Sequence, residues 1–229
     1  MAAAFLLAAC QPVPPAPQSA VSVMTGLPLF WGEGGPQIVL QGGDQRAAII
    51  RRLGETRKVI PLDRLDAATL ARAPLLILAQ PRALAGDELV AIDAWVRGGG
   101  KVLVFADPTL RWPSRLPIGD HRRAPLVDLL DPLYSHWGIE LNLTDTRASE
   151  IQNVTLAGAP VAVVSPGRWV ATGAACAVAA GGHLADCQIG KGHALLVADA
   201  DLLDERLWAE SGVANDRAIL GLLSRLDSR

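Results

Sequence analysis

Asp199-Ala200-Asp201, with Asp204 close behind, gathers three carboxylates into one short stretch. Oxygens spaced like this are ligands that a hard cation takes. The same acids also serve as caps, since Asp199 ends an apolar run and Asp201 opens a helical pattern, and capping is the favoured reading. Asp107-Pro108 and Gln80-Pro81 close two other apolar runs. A carboxylate or carboxamide there either binds a polar ligand or caps and solvates the loop that follows. Gly42-Gly43-Asp44 joins an apolar run to a helical pattern, where backbone N–H groups at a helix start can hold an anion. It matches no full dinucleotide or P-loop pattern, and a tight turn with an N-cap is the plainer interpretation.

Nucleophilic and metal chemistry find little support. Neither G-x-S-x-G nor G-x-C-x-G occurs, and neither Cys176 nor Cys187 lies on a strand-to-helix turn. His121, His136, His183 and His193 are scattered without metal-ligand spacing. The expectation is therefore no catalytic residue, no metal and no cofactor. The alternative is a hydrolase with an Asp-centred or metal-assisted site.

The elements that must position these groups are clearest between Ala73 and Pro108. Leu75 to Ala79 is an apolar run of strand length, bounded by Gln80-Pro81. Asp87-Glu88 open a helical pattern with Leu89, Ile92, Trp95 and Val96 on one side, and acids in the first turn suit the helix dipole. Gly98-Gly99-Gly100 stop it, because glycine accepts the left-handed turn a C-cap needs. Val102 to Ala106 is a second buried strand. A strand, a crossover helix and a strand form a right-handed parallel unit, and strands apolar on both faces need helices on both sides of the sheet.

Outward from this unit, Gln37 to Leu40 reads as the first strand and Gln45 to Leu53 as a helix capped by Asp44. Val59 to Leu62 reads as an edge strand, because Pro61 cannot donate to a central ladder. Ala124 to Trp137 reads as a helix with Leu126, Leu129, Leu130, Leu133 and Trp137 on one face, and Ile139 to Leu143 as a returning strand. Val161 to Val164 and a hairpin carrying Cys176 and Cys187 read as a small antiparallel addition. Those cysteines are either bridged, which an exported location permits, or two buried thiols, with the bridge favoured. Ala194 to Ala198 is a further strand, and Leu202 to Glu210 and Arg217 to Leu226 are closing helices. Thr109 to His121 is a proline-containing loop after a strand end, where α/β sheets bind ligands.

A net charge of −2 with no basic stripe excludes a nucleic-acid surface. No apolar stretch of about 18 residues occurs, so no helix spans a membrane. The amino terminus is distinctive: Leu7-Ala8-Ala9-Cys10 resembles the lipobox of bacterial lipoproteins, followed by the proline-rich Gln11 to Gln18 as an extended tether. The charged n-region of a signal peptide is missing before Cys10. The expected organisation is a signal over 1–10, a tether and irregular apolar segment over 11–35, and one α/β domain over 36–229. Trp31 and Trp112 fall in irregular segments, where either a partner or the chain's own loops cover them.

Several landmarks occur in order: Leu75 to Ala79 with Pro81, Asp87-Glu88-Leu89, Ile92-Asp93, Gly98 to Val104, Asp107-Pro108, Trp137-Gly138-Ile139, Gly190-Lys191-Gly192, Asp199 to Leu202 and Asn215. Together they resemble the auxiliary, substrate-binding-like proteins of gliding-motility-type ABC transporters, the GldG-like group, over about Gln37 to Leu226. The resemblance implies an open, mostly parallel Rossmann- or flavodoxin-like sheet, related to class I glutamine amidotransferases and without established catalysis. It implies ABC permease or ATPase subunits as partners, outside the cytoplasm. The lipobox resemblance implies a lipid anchor at Cys10 on the periplasmic side, and Gln11 points to the outer membrane. Gln80, Asp107, Asp199 and Asp201, with Gly42, Gly43 and Asp44, are the expected ligand or partner rim.

Overall fold

A seven-stranded sheet runs through the middle of the computed structural model, which describes residues 19–33, 45–144 and 150–229. Cys10, the proline-rich stretch, the expected strand Gln37 to Leu40 and Gly42-Gly43-Asp44 lie outside the described residues. In chain order the elements are β1 (Ala20–Thr25), α1 (Ala48–Gly54), β2 (Lys58–Pro61), α2 (Ala67–Leu70), β3 (Leu76–Ala79), α3 (Gly86–Arg97), β4 (Lys101–Phe105), α4 (Asp131–Trp137), β5 (Ile139–Asn142), β6 (Ile151–Leu156), β7 (Ala159–Val164), β8 (Arg168–Ala171), β9 (Cys176–Ala179), β10 (Leu184–Ile189), β11 (Gly192–Val197), α5 (Glu205–Ser211) and α6 (Asp216–Asp227). The sheet order is β2-β1-β3-β4-β11-β10-β9. Its first five strands are all parallel, and β10 and β9 continue it antiparallel. The parallel part has the 2-1-3-4-5 order of flavodoxin-like sheets, which reverses direction between β1 and β3.

Strand alternation builds two cores. Val21, Val23, Ile77, Leu103, Phe105, Leu195 and Val197 face α1, α6 and the β6–β7 hairpin. Met24, Leu76, Leu78, Val102, Val104 and Leu196 face the other way, onto Ile92, Val96, Leu133 and Trp137. Both faces are therefore covered, as the apolar strands require. The β3–α3–β4 unit is parallel as expected, and β2 with Pro61 is an edge. After α3, Gly98 keeps a right-handed φ of −76° and Gly99, at φ 120°, makes the turn.

Four expectations are corrected. Val21 to Thr25 is not irregular: β1 lies between β2 and β3, so the α/β domain begins before residue 36. The helix expected from Ala124 starts only at Asp131. Pro132 fits a first helical turn, but further inside its ring would strike the carbonyl of Asp128 and it has no N–H to give. Leu126 and Leu129 are consequently exposed. The cysteine hairpin extends the main sheet, while β8 pairs with β5 and β6 with β7 in separate two-stranded sheets. Asp204, and not Asp201, caps the last-but-one helix, accepting from the Arg206 amide. Cys176 and Cys187 stand opposite one another on β9 and β10 and are joined by a disulfide.

Candidate functional site

The carboxyl ends of β3, β4 and β11 lie side by side, and they bring Gln80, Asp107, Asp199 and Asp201 together. All four are buried. Gln80 has a left-handed backbone, φ 42°, a strained state for a side-chain-bearing residue. Its carboxamide explains why the strain is tolerated. Oε1 accepts from the Asp107 amide at 2.8 Å, and Nε2 donates to the carbonyls of Asp107 at 3.0 Å and Pro125 at 3.1 Å. Opposite it, Gly26 at the end of β1 donates its amide to the Gln80 carbonyl. A Cβ at Gly26 would lie 2.6 Å from that carbonyl and 2.9 Å from the Pro125 ring. The crevice between β1 and β3, where such sheets hold ligands, is thus filled by the chain's own Pro125.

The acids are held just as tightly. Asp107 Oδ1 accepts from the Thr109 amide at 2.7 Å and Oδ2 from the Ala200 amide at 3.2 Å. Asp199 takes the amides of Leu202 at 2.6 Å and Val164 at 3.0 Å. Asp201 takes the Arg111 amide at 2.7 Å. Burial, which penalises the charged form, raises all three, and mutual repulsion raises Asp199 and Asp201 further. Asp128 nearby is pushed up to about 6, again first by burial.

Residues 109–130 form a strap over this cluster. Besides the bonds to Asp107, Asp201 and Gln80, the Leu110 amide donates to the Leu126 carbonyl and the Arg115 amide to Glu33. The strap's outer surface carries Ile118, 80% exposed, and Val127, 50% exposed. Between the strap and α5 runs an open groove of about 720 Å³, lined among others by Trp112, Arg115, Glu33, Asp204 and Arg206. The Arg206 guanidinium lies 5.9 Å from the Trp112 ring centre and pairs with Asp204 at 2.8 Å. Among the described residues, no group of three or more His, Cys, Asp or Glu side chains could hold a metal ion, and no helix is long and apolar enough to cross a membrane.

Residues 19–172 match the family model described as an ABC-type uncharacterized transport system. The chain belongs to this family. The family is one of ABC transport auxiliaries. No curated protein matches the chain. Among solved structures, it is similar to an exo-β-1,4-mannosidase from Opitutaceae bacterium strain TAV5 (TM-score 0.51, 12% identity, 91% of this chain and 36% of that one). The cytoplasmic protein STM1381 from Salmonella typhimurium LT2 is also similar (TM-score 0.50, 11% identity, 78% of this chain and 85% of that one). The chain spans about a third of the mannosidase's length, and at these identities the likeness is one of fold.

Within this fold Gln80, Asp107, Asp199 and Asp201 meet, but they point inward. Asp204 stands apart from the trio and pairs with Arg206. Trp31 is 41% exposed, while Trp112 packs partly against the core. Three contributors escaped sequence reasoning. Asp128 was hidden inside a supposed helix. Gly26 had no signal because β1 was not recognised. Asn215 appeared only as a landmark, yet it is buried and bonds Ala162 through both main-chain groups and the Leu202 carbonyl, tying α6 to β7.

Proposed function

We propose that this ABC transport auxiliary is a non-catalytic, periplasm-facing binding module, anchored by lipid at Cys10, that contacts a permease and its ATPase through the strap and the adjoining groove. The observation that carries this reading is where the carboxyls go. At the strand ends, where α/β sheets meet small ligands, the side chains of Gln80, Asp107, Asp199 and Asp201 are spent on holding the chain's own loops. What faces outward instead is Ile118, Leu126 and Val127, with Trp112 and Arg206 in the groove. Aromatic residues and arginine beside apolar side chains are the composition that protein contacts favour. The anchor rests on Leu7-Ala8-Ala9-Cys10 and the proline-rich stretch after it, and Gln11 favours the outer membrane. A hydrolase working through Asp199 needs that carboxyl at solvent, and it is fully buried.

The test is purification of tagged full-length protein from its native membranes after mild cross-linking, beside a Cys10→Ser version and an Ile118→Asp/Val127→Asp double variant. Permease or ATPase subunits should come with the wild type, weaken with Cys10→Ser and be lost with the double variant while its circular dichroism is unchanged. Undiminished recovery with the double variant would place the contact elsewhere. Recovery of no transporter subunit by the wild type would overturn the reading.

A further inference from the structure

Lys58 and Lys101 open β2 and β4, while Arg72 and Lys191 precede β3 and β11, so all four lie at the amino end of the parallel strands. The closing turns of α1, α3 and α6 return to that edge with Arg57, Arg97, Arg225 and Arg229. The edge thus gathers eight of the chain's 21 Lys and Arg residues, against only Glu55, Asp93, Asp186 and Asp227 of its 23 acids. Helix dipoles and these acids account for the arginines at the helix ends. Arg97 pairs with Asp93 at 2.9 Å, Arg57 pairs with Asp227, and Arg225 and Arg229 share Asp186. The four at the strand starts have no such account. None of them pairs with a carboxylate among the described residues, and Lys101 Nζ reaches only the Asp227 carbonyl, at 3.2 Å. They follow the sheet from β2 to β11, a row about 20 Å long at about 4.8 Å per strand. Such a row matches a charged plane better than a single small anion.

We propose that this edge docks on the anionic phospholipid headgroups of the membrane to which the chain is tethered. The path of the chain supports the same placement. Ser19, where the described chain begins, accepts the Lys58 amide at 3.0 Å, and β1 enters the sheet between β2 and β3. The chain ahead of Ser19 therefore leaves from within the basic row. Nine residues lead from Cys10 to Ser19 and span at most about 30 Å, so an anchored chain holds this edge close to the bilayer. Each Lys or Arg near an anionic surface strengthens attachment by about fivefold. The strap lies at the opposite end of the strands and is turned away from the headgroups. The membrane is brought near by the anchor at Cys10, so the biological use of this face rests on that reading.

The experiment is vesicle co-sedimentation of the full-length Cys10→Ser protein, in which neither a lipid anchor nor a transporter subunit takes part. Its failure is thus distinct from a failure to capture a transporter. Vesicles of phosphatidylcholine alone are compared with vesicles of phosphatidylcholine and phosphatidylglycerol in equal parts. At about 0.05 M salt the protein should bind the anionic vesicles at least about a hundredfold more tightly, and most of that preference should vanish at about 0.5 M. Lys58→Gln/Arg72→Gln/Lys191→Gln should weaken binding by about a hundredfold with circular dichroism unchanged, since none of the three holds a carboxylate. Arg64→Gln/Arg168→Gln/Arg217→Gln removes the same charge away from this edge and should bind within about twofold of the parent. Equal binding to both kinds of vesicle overturns the proposal. So does undiminished binding by the first triple variant, or an equal loss in the second.

Discussion

Glu88 and Asp199 are equally secluded, 2% and 0% exposed, yet their proton affinities move in opposite directions. Glu88 opens α3 and receives both terminal nitrogens of Arg82, each at 2.8 Å, with the amides of Leu65 and Ala85. Arg82 foremost brings it down to about 2. Asp199 also receives two amides, but its charged neighbours are Asp107 and Asp201, and burial prevails. Depth of burial is therefore not what decides the sign. A partnering cation does, because amides alone compensate only part of the lost hydration of a carboxylate.

The two regions should answer to pH with opposite signs. Glu88 has a depressed value, so its contribution is present above about pH 4.5 and disappears as pH falls towards 2. The aspartate cluster has raised values, so the native state holds extra protons and loses stability as pH climbs above about 4. The largest effect expected is Glu88→Leu, which strands the buried Leu65 amide and the Ala85 amide, leaves Arg82 without its carboxylate, and costs about 3 kcal/mol at pH 7 by urea unfolding. That cost should shrink towards pH 2. Should it persist there, the charge on Glu88 is not what matters.

Asp199→Asn tests the other side. It removes one titrating group, and with it up to about 1.4 kcal/mol of stability change per pH unit. It also gives up an acceptor needed by Val164 or Leu202. The variant should be weaker than wild type at pH 5 and stronger at pH 8.5. Parallel unfolding curves at the two pH values would show that Asp199 is ionised after all. Gly26→Ala comes next, at about 1 kcal/mol, because Gln80 and Pro125 must move aside for one methyl group. It acts sterically and should cost the same at both pH values. Smallest is Val127→Asp, expected to change stability by less than about 0.5 kcal/mol, since the strap's outer surface supports neither core.

Much of this architecture is legible in residue order. The β3–α3–β4 unit announces itself because two runs buried on both faces flank a helix with an acidic start and a glycine stop. Pro61 identifies an edge without any coordinates. The strand Ala20–Thr25 escapes because Ser22 breaks its apolar run and prolines stand before it, while its burial comes from pairing with β2 and β3, which are distant in sequence. The positions of Asp107, Asp199 and Asp201 at strand ends are readable. Their inward direction is not, since it depends on where residues 109–130 fold back. That segment's apolar residues mimic a helical face until Pro132 is taken into account.

The place of β1 has a mechanical consequence. Ser19 enters beside Lys58 at the amino edge of the sheet, and the last turn of α6 returns to the same edge, where Lys101 bonds the Asp227 carbonyl. Both ends of the described chain thus leave opposite the strap. A pull applied ahead of Ser19 runs along an interior strand hydrogen-bonded on both sides. It loads those bonds together in shear and does not peel an edge strand away one bond at a time.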